Sequence, residues 1–227
     1  MRAMRRVVTT SCASHGQEEL AFEYDSSVVV DADASSMLAY LEREVASGRR
    51  FEAKSTIQLG WNVVVLEDVG DCLELTEPDW SGKVPMVFVR QLTRALSDAR
   101  IQRETAASLG LEGSLLFTNI IHSGIVCRRV GEGGALGVME RVEPEGTDSG
   151  WFFGCADSDH DHNNPKELER QSLYAIACRL RDVVPYCALP PNIRIEFDGS
   201  RPVSFAFAGL AIRPRKDSFL HTLLASH

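Results

Sequence analysis

The stretch ERVEPEGTDSGWFFGCADSDHD, residues 140–161, decides both the fold and the charge distribution of this chain. Its aromatic run at 151–153 has the size of a strand and follows a strand pattern over 136–142. The stretch contains seven acids and one base, Arg141, so it carries −6 of the chain's net charge of −8. Acids around aromatic residues are typical of a protein-binding surface. A buried strand with solvated acidic flanks explains the same pattern equally well.

The composition is that of an ordinary soluble protein of 227 residues, with 44% hydrophobic and 25% charged residues. No apolar run approaches the roughly 18 residues that a membrane helix needs, so no membrane partner is predicted. The net negative charge argues against nucleic-acid binding and favours a basic partner. Six cysteines without a CxxC motif, and no apolar signal segment, predict reduced structural thiols in a cytoplasmic protein.

Hydrophobic periodicity predicts a flexible lead-in over residues 1–19 and an N-terminal α+β domain of unknown role over 20–110. The elements expected in this domain are a helix capped by Asp33 and ended by Gly48, strands at 57–66 and 72–77, and a helix from Pro85 to Gly110. The glycines at 110 and 113 mark the boundary with a second domain over 113–227.

The second domain shows the same mixture of short strands and helices. The elements expected here are strands at 115–117, 125–127, 136–142, 151–153, 193–197 and 203–207, a helix from Pro165 to Val184 capped by Asn164, and a short helix after Arg213. The predicted class is therefore α+β: two small mixed α/β units, with mostly antiparallel sheets and a few packed helices.

Residues 157–164, DSDHDHNN, alternate carboxylates with imidazoles, which are metal-ligating groups. A calcium loop would need Gly and Glu where the chain has His162 and Leu168, and zinc would need ligands from a second element. The other histidines have no sequence reason to converge on this segment. A polar loop is therefore favoured and no metal or other cofactor is predicted, with a metal-dependent hydrolase built on 157–162 as the alternative.

Other catalytic patterns are weak, and no catalytic residue is predicted. No Gly-x-Ser-x-Gly motif occurs, and nothing in the sequence aligns Cys155 with His160, which lies five residues away. Residues 83–103 hold five bases and one acid, a pattern that favours a solvated helix face. A regulatory module that binds its partner through the arginines of 90–103 is a further alternative.

The central stretch also carries a family resemblance. Asp148-Ser149-Gly150-Trp151, followed by Phe152-Phe153-Gly154 and the acidic run 157–161, resembles the signature of the immunity protein 33 family, first catalogued as a bacterial domain of unknown function. Further matching segments are 115–118, 137–139, 183–186, 189–190 and 193–197, so the resemblance covers about 113–199.

The resemblance implies a non-catalytic binding protein, because family members are inferred to neutralise toxins exchanged between competing bacteria. The expected partner is a cognate toxin with a basic face, bound and occluded by the acidic residues Asp157, Asp159, Asp161, Glu143 and Glu145. The motif residues expected to be structural are Asp148, Ser149, Gly150, Trp151 and Gly154.

Overall fold

The computed structural model describes residues 3–82, 85–157 and 159–225. The chain divides into two compact units, Met1–Arg100 and Ile101–His227, and the division falls inside the helix Thr93–Leu109. Both units combine helices with a mostly antiparallel sheet, so the predicted α+β class is confirmed. Within the described ranges, no helix is long and apolar enough to cross a membrane.

The first unit is a six-stranded sheet with strand order β1-β2-β5-β4-β3, in which β6 pairs with β5. Its elements are β1 (Met4–Val8), β2 (Leu20–Asp25), α1 (Asp31–Ala46), β3 (Thr56–Leu59), β4 (Asn62–Asp68), β5 (Leu73–Pro78), β6 (Phe88–Val89) and the first half of α2 (Thr93–Leu109). Helix α1 turns Met37, Leu41 and Val45 inward at helical spacing, and they join a core that includes Phe22 and Leu75.

Four predictions for this unit are wrong. Helix α1 begins at Asp31, so its N-cap is Val30, and Asp33 lies inside the first turn and does not cap the helix. Residues 4–8 of the expected lead-in form an edge strand that pairs with β2, and main-chain pairing of this kind leaves no hydrophobic period in the sequence. The strand predicted at 57–66 is a hairpin, because Gly60 takes a positive φ of 60° between β3 and β4. Helix α2 begins at Thr93 instead of Pro85. The start at Thr93 is stabilised by the buried carboxylate of Glu77, which accepts hydrogen bonds from the amides of the first helical turn.

The second unit is a seven-stranded sheet with strand order β10-β7-β9-β8-β11-β12-β13, in which only the β7–β9 pair is parallel. Its strands are β7 (Ser123–Cys127), β8 (Leu136–Arg141), β9 (Asp148–Cys155), β10 (Leu168–Ser172), β11 (Ile193–Asp198), β12 (Arg201–Phe207) and β13 (Leu210–Ile212). Besides the second half of α2, its α-helices are α3 (Arg128–Gly131), α4 (Leu173–Arg179) and α5 (Phe219–Ala225).

The alternation of side chains gives this sheet one buried and one open face. A cross-strand row on the buried face contains Val126, Phe153, Met139, Ile195 and Phe205. The neighbouring row on the open face contains Arg170, Ile125, Phe152, Glu140 and Arg194, all exposed or half-buried. The open face therefore presents a mixture of charge and apolar surface to solvent.

Two predictions for the second unit are wrong. Residues 115–117 are not a strand, because Leu116 uses its amide and carbonyl to bind the Ala188 carbonyl and the Arg141 guanidinium. The helix predicted from Pro165 is interrupted: after one turn capped by Asn164, the chain forms β10 on the edge of β7, and α4 starts only at Leu173. The Ser172 hydroxyl caps α4 by accepting from the Ala175 amide at 3.2 Å.

Candidate functional site

The motif Asp148-Ser149-Gly150-Trp151 forms the first half of strand β9. One carboxylate oxygen of Asp148 accepts from the Gly150 amide at 2.9 Å, and the other accepts from Arg170 at 2.7 Å. The hydroxyl of Ser149, which is fully buried, donates to the Ser123 carbonyl at 2.7 Å. These bonds hold the start of β9 against β7 and β10.

Both motif glycines are required by close approach. Gly150 has a φ of 75°, and a Cβ at this position would lie 2.2 Å from the Val142 carbonyl oxygen. A Cβ on Gly154 would lie 2.8 Å from side-chain atoms of Phe152 and Val138. The absent side chain at 154 thus leaves room for the Phe152 ring on the open face.

Trp151 is fully buried and contacts a buried cation. Its indole Nε1 donates to the Cys187 carbonyl at 3.1 Å, and the Arg141 guanidinium lies 5.4 Å from its ring centroid. Arg141 donates to the carbonyls of Leu116, Ser149 and Leu189. Burial lowers the pKa of Arg141 to about 10, so the side chain stays charged at neutral pH and ties three backbone segments together.

A groove of about 460 Å³ opens on the sheet beside this motif. Ile125 and Phe152 form its apolar floor, and Val142, whose side chain is largely exposed, lies at its edge. Four acids also line it, Glu140, Glu143, Glu145 and Asp148, together with one base, Arg170. The groove therefore offers an apolar centre with an acidic rim, the combination that predicts a protein-binding surface.

The acids of the groove differ in how far they are neutralised. Glu140 pairs with Arg194, and Asp148 pairs with Arg170 at 2.7 Å. Glu143 and Glu145 are exposed and form no ion pair within the described ranges. The groove acids outside ion pairs are therefore these two glutamates, of which Glu143 interacts electrostatically with the buried Arg141.

The acidic run predicted as one surface is divided by the fold. Asp157, Asp159 and Asp161 follow the end of β9, whereas Glu143 and Glu145 precede its start; the eight-residue strand between them spans about 24 Å. Asp157 pairs with Arg129, and Asp157 and Asp161 also accept hydrogen bonds from amides of their own loop. All three aspartates are exposed.

The loop after β9 brings two histidines to two cysteines. The Nδ1 atom of His160 lies 3.0 Å from the Cys127 Sγ and 3.2 Å from the Cys155 Sγ, and the His162 Nε2 lies 3.4 Å from the Cys155 Sγ. These four ligand atoms all lie within 4.8 Å of one another. The expectation that nothing aligns Cys155 with His160 is therefore wrong, and the second element missing from the sequence pattern is the end of β7.

This Cys/His cluster is enclosed. Cys127 is fully buried, Cys155 is 7% exposed, and the His160 side chain is 4% exposed. The other nitrogen of His160, Nε2, lies 3.2 Å from a carboxylate oxygen of Glu167. Burial raises the pKa of the Cys155 thiol, and burial together with the nearby His160 lowers the pKa of His162.

Three of the arginines of 90–103, proposed as an alternative contact face, are engaged within the first unit. Arg90 approaches Glu67 and Glu74, and Arg100 pairs with Asp33. Arg94 pairs with the buried Asp98, and its guanidinium lies 5.1 Å from the Trp80 ring centroid. These pairs compensate much of the positive charge that the sequence pattern displays.

Sequence reasoning missed Cys127 and Val142 as site residues. Cys127 lies 28 positions before Cys155, so only the parallel pairing of β7 with β9 brings them together. A usable signal was present for Cys155, because the spacing Cys-x4-His-x-His is compatible with three ligands on one loop. Val142 gave no signal, since a strand pattern does not reveal which apolar residue stays exposed.

Comparison with known families supports the resemblance found in the sequence. Residues 119–206 match the family model of the Imm33-like domain, and this segment contains the β9 motif, the groove and the Cys/His cluster. The second unit is thus similar to an Imm33-like domain, and the predicted family resemblance is confirmed. No curated protein and no solved structure matches the chain.

Proposed function

We propose that the second unit is an immunity-type binding module, which neutralises a bacterial toxin by covering it and performs no chemistry on it. The observation that carries this proposal is the apolar groove with the acidic rim, which lies in the segment similar to the Imm33-like domain. The partner is a toxin with a basic face, and the cytoplasm of the producing cell is the place of action. Complementary charge speeds association and excludes wrong partners.

One partner can contact both acidic regions. A standard protein–protein interface buries roughly 800 Å² on each side, which corresponds to a disc about 32 Å across. The two regions are separated by the length of β9, about 24 Å. The His162 ring lies 5.5 Å from the Phe152 ring centroid, so the loop after β9 borders the groove.

The contribution of the five proposed contact residues is expected to differ. Glu143 and Glu145 are exposed, unpaired within the described ranges and next to the apolar floor, so we place them against the apolar centre of the contact. Asp157 is already paired with Arg129, and we place it with Asp159 and Asp161 at the rim. Rim charges mainly change the association rate, whereas central ones change the affinity.

The test uses the reading frame adjacent to this gene. Its product is expressed alone and together with this protein, and surviving cells are counted. We expect the neighbour to kill and this protein to rescue. A harmless neighbour, or killing that coexpression does not relieve, contradicts the proposed function.

Charge reversal then tests the surface. We expect Glu143→Lys with Glu145→Lys to weaken binding of the neighbour's product by about 100-fold or more, since like charges across an interface cost several kcal/mol. Asp157→Lys with Asp159→Lys should mainly slow association. The matched control, Glu18→Lys with Glu52→Lys, makes the same change in net charge at exposed positions of the first unit. Equal weakening by all three pairs would show that net charge, and not the groove, sets the affinity.

A further inference from the structure

We propose that Cys127, Cys155, His160 and His162 bind one zinc ion in a tetrahedral site that holds the loop after β9 against the end of β7. The ligand atoms are the two Sγ atoms, Nδ1 of His160 and Nε2 of His162. This proposal is independent of the toxin partner, because it concerns only the residues of the second unit.

The distances fit a single ion. Zn–S bonds of about 2.3 Å and Zn–N bonds of about 2.0 Å at a tetrahedral angle place sulfur and nitrogen about 3.5 Å apart and the two sulfurs about 3.8 Å apart. The three sulfur–nitrogen distances of 3.0, 3.2 and 3.4 Å are close to that value. All four atoms lie within 4.8 Å of one another, so a shift of less than about an ångström brings each to bonding distance.

The chemistry of the donors selects the metal. Two thiolates and two imidazoles form a set that suits zinc, whereas magnesium and calcium prefer oxygen ligands. Two thiolates also balance the charge of a divalent ion, which allows the complex to be buried without an unpaired charge. Cys127 and Cys155 are buried, and both are free thiols in the structure.

Glu167 supplies the outer contact that zinc-bound histidines usually have. Its carboxylate lies 3.2 Å from Nε2 of His160, on the side of the ring opposite the two sulfurs. If Nε2 carries the proton and donates to Glu167, the lone pair of Nδ1 points toward the cluster. Glu167 is thus a positioning residue, which acts on the metal through His160.

The fold explains why these residues meet. Cys127 ends β7 and Cys155 ends β9, and these neighbouring strands are parallel, so their C-terminal ends lie at the same edge of the sheet. The chain then leaves β9 and returns to β10 on the other side of β7. The loop must therefore cross the end of β7, and His160 and His162 lie on that crossing.

The ligand set argues for a structural metal and against the metal-dependent hydrolase. A catalytic zinc ion keeps one position open for water, whereas four protein ligands fill the tetrahedron. Cys155 and His160 with Glu167 also resemble a nucleophile, its base and an orienting acid. However, the two thiols are too deeply buried to meet a substrate.

The first experiment measures metal in the full chain purified under reducing conditions without added metal. We expect about one zinc per chain. After removal of zinc by a chelator, titration with Co²⁺ should give the visible bands of tetrahedral cobalt and a thiolate-to-cobalt charge-transfer band, with saturation at one equivalent. Zinc should also raise the thermal unfolding temperature of the stripped protein, because it binds only the folded state.

Variants then identify the ligands. Cys155→Ser and His160→Asn should lose the zinc and the charge-transfer band, whereas Cys178→Ser and His221→Asn, outside the cluster, should keep both. Glu167→Gln should retain one zinc with an affinity lowered about 10- to 100-fold. Glu169→Gln, two residues further along the chain in β10, should bind zinc with the wild-type affinity. Circular dichroism of each variant shows whether it is folded, and the cobalt titration of the wild type decides the proposal even if a variant is not.

Three results would overturn the proposal. The first is wild-type protein that contains no zinc and gives no cobalt spectrum. The second is a thiol count two short of six in protein purified without reductant, which reduction restores without creating metal binding. This would show a disulfide and no metal site. The third is equal zinc in the cluster variants and the controls. None of these outcomes depends on the toxin, so they are separate from a failure of the proposed function.

Discussion

Replacing Trp151 by alanine tests whether this residue is part of the core or an anchor for a partner. The side chain is fully buried, and truncation removes about 200 Å² of buried surface. At about 25 cal/mol per Å², the upper limit of the loss is about 5 kcal/mol. Measured truncations of buried aromatic residues cost about 3–5 kcal/mol.

Two specific contacts place the expected loss in the upper part of this range. The indole hydrogen bond to the Cys187 carbonyl disappears, and the Arg141 guanidinium loses the ring beside it while it stays buried. A cation–aromatic contact of this kind contributes about 1 kcal/mol. We therefore expect Trp151→Ala to lower the free energy of unfolding by about 4–5 kcal/mol.

The assay is urea unfolding followed by far-ultraviolet circular dichroism, which does not depend on the tryptophan that is removed. Phe152→Ala is the matched control, because Phe152 is the next residue along β9 but lies half-buried on the open face. It should lose less than half as much stability. A folded Trp151→Ala protein that loses less than about 1 kcal/mol would refute the assignment of Trp151 to the core.

Two further predictions concern backbone conformation and pH. Gly150→Ala should lower the free energy of unfolding by more than about 2 kcal/mol, because the new Cβ would lie 2.2 Å from the Val142 carbonyl oxygen. Gly146→Ala, also at positive φ but with nothing within 4 Å of the new Cβ, should cost about 1 kcal/mol. Chemical unfolding of both variants compares them, and equal losses would contradict the clash. Burial raises the pKa of Glu77 to about 7, so the folded state holds the Glu77 proton more tightly than the unfolded state does. The free energy of unfolding should therefore fall by on the order of 3 kcal/mol as pH rises from about 4.5 through 7. Glu77→Gln should flatten this pH dependence, and a wild-type curve that matches the variant's would remove Glu77 as its source.

Local pattern was sufficient where neighbours along the chain set the structure. The strands at 136–142 and 151–153 were predicted within three residues at every end, because alternation of apolar residues reflects a sheet with one buried face. Asn164 was correctly predicted as a cap, since its side chain accepts from the Lys166 amide two residues away. Such interactions are complete within a few residues and are therefore visible in sequence.

Pattern failed where the partner is remote. The edge strand β1 is held by β2, and the segment at 115–117 is held by carbonyl and guanidinium groups from distant parts of the second unit. Charge patterning failed for the same reason. The pattern of arginines in α2 and in the residues just before it indicates an exposed basic face. In the structure, Glu67 and Glu74 lie against Arg90, and Asp33 lies against Arg100.

The sequence by itself determined the α+β class, the motif Asp148-Ser149-Gly150-Trp151 with its family resemblance, and the acidic excess of 140–161, because composition, periodicity and a contiguous motif are properties of neighbouring residues. Only the tertiary structure decided that the acids separate into two regions at the ends of β9. The tertiary structure alone brought Cys127 to Cys155, His160 and His162. The reason is that the parallel strands β7 and β9 end at the same edge of the sheet, although their last residues, Cys127 and Cys155, are 28 positions apart in sequence.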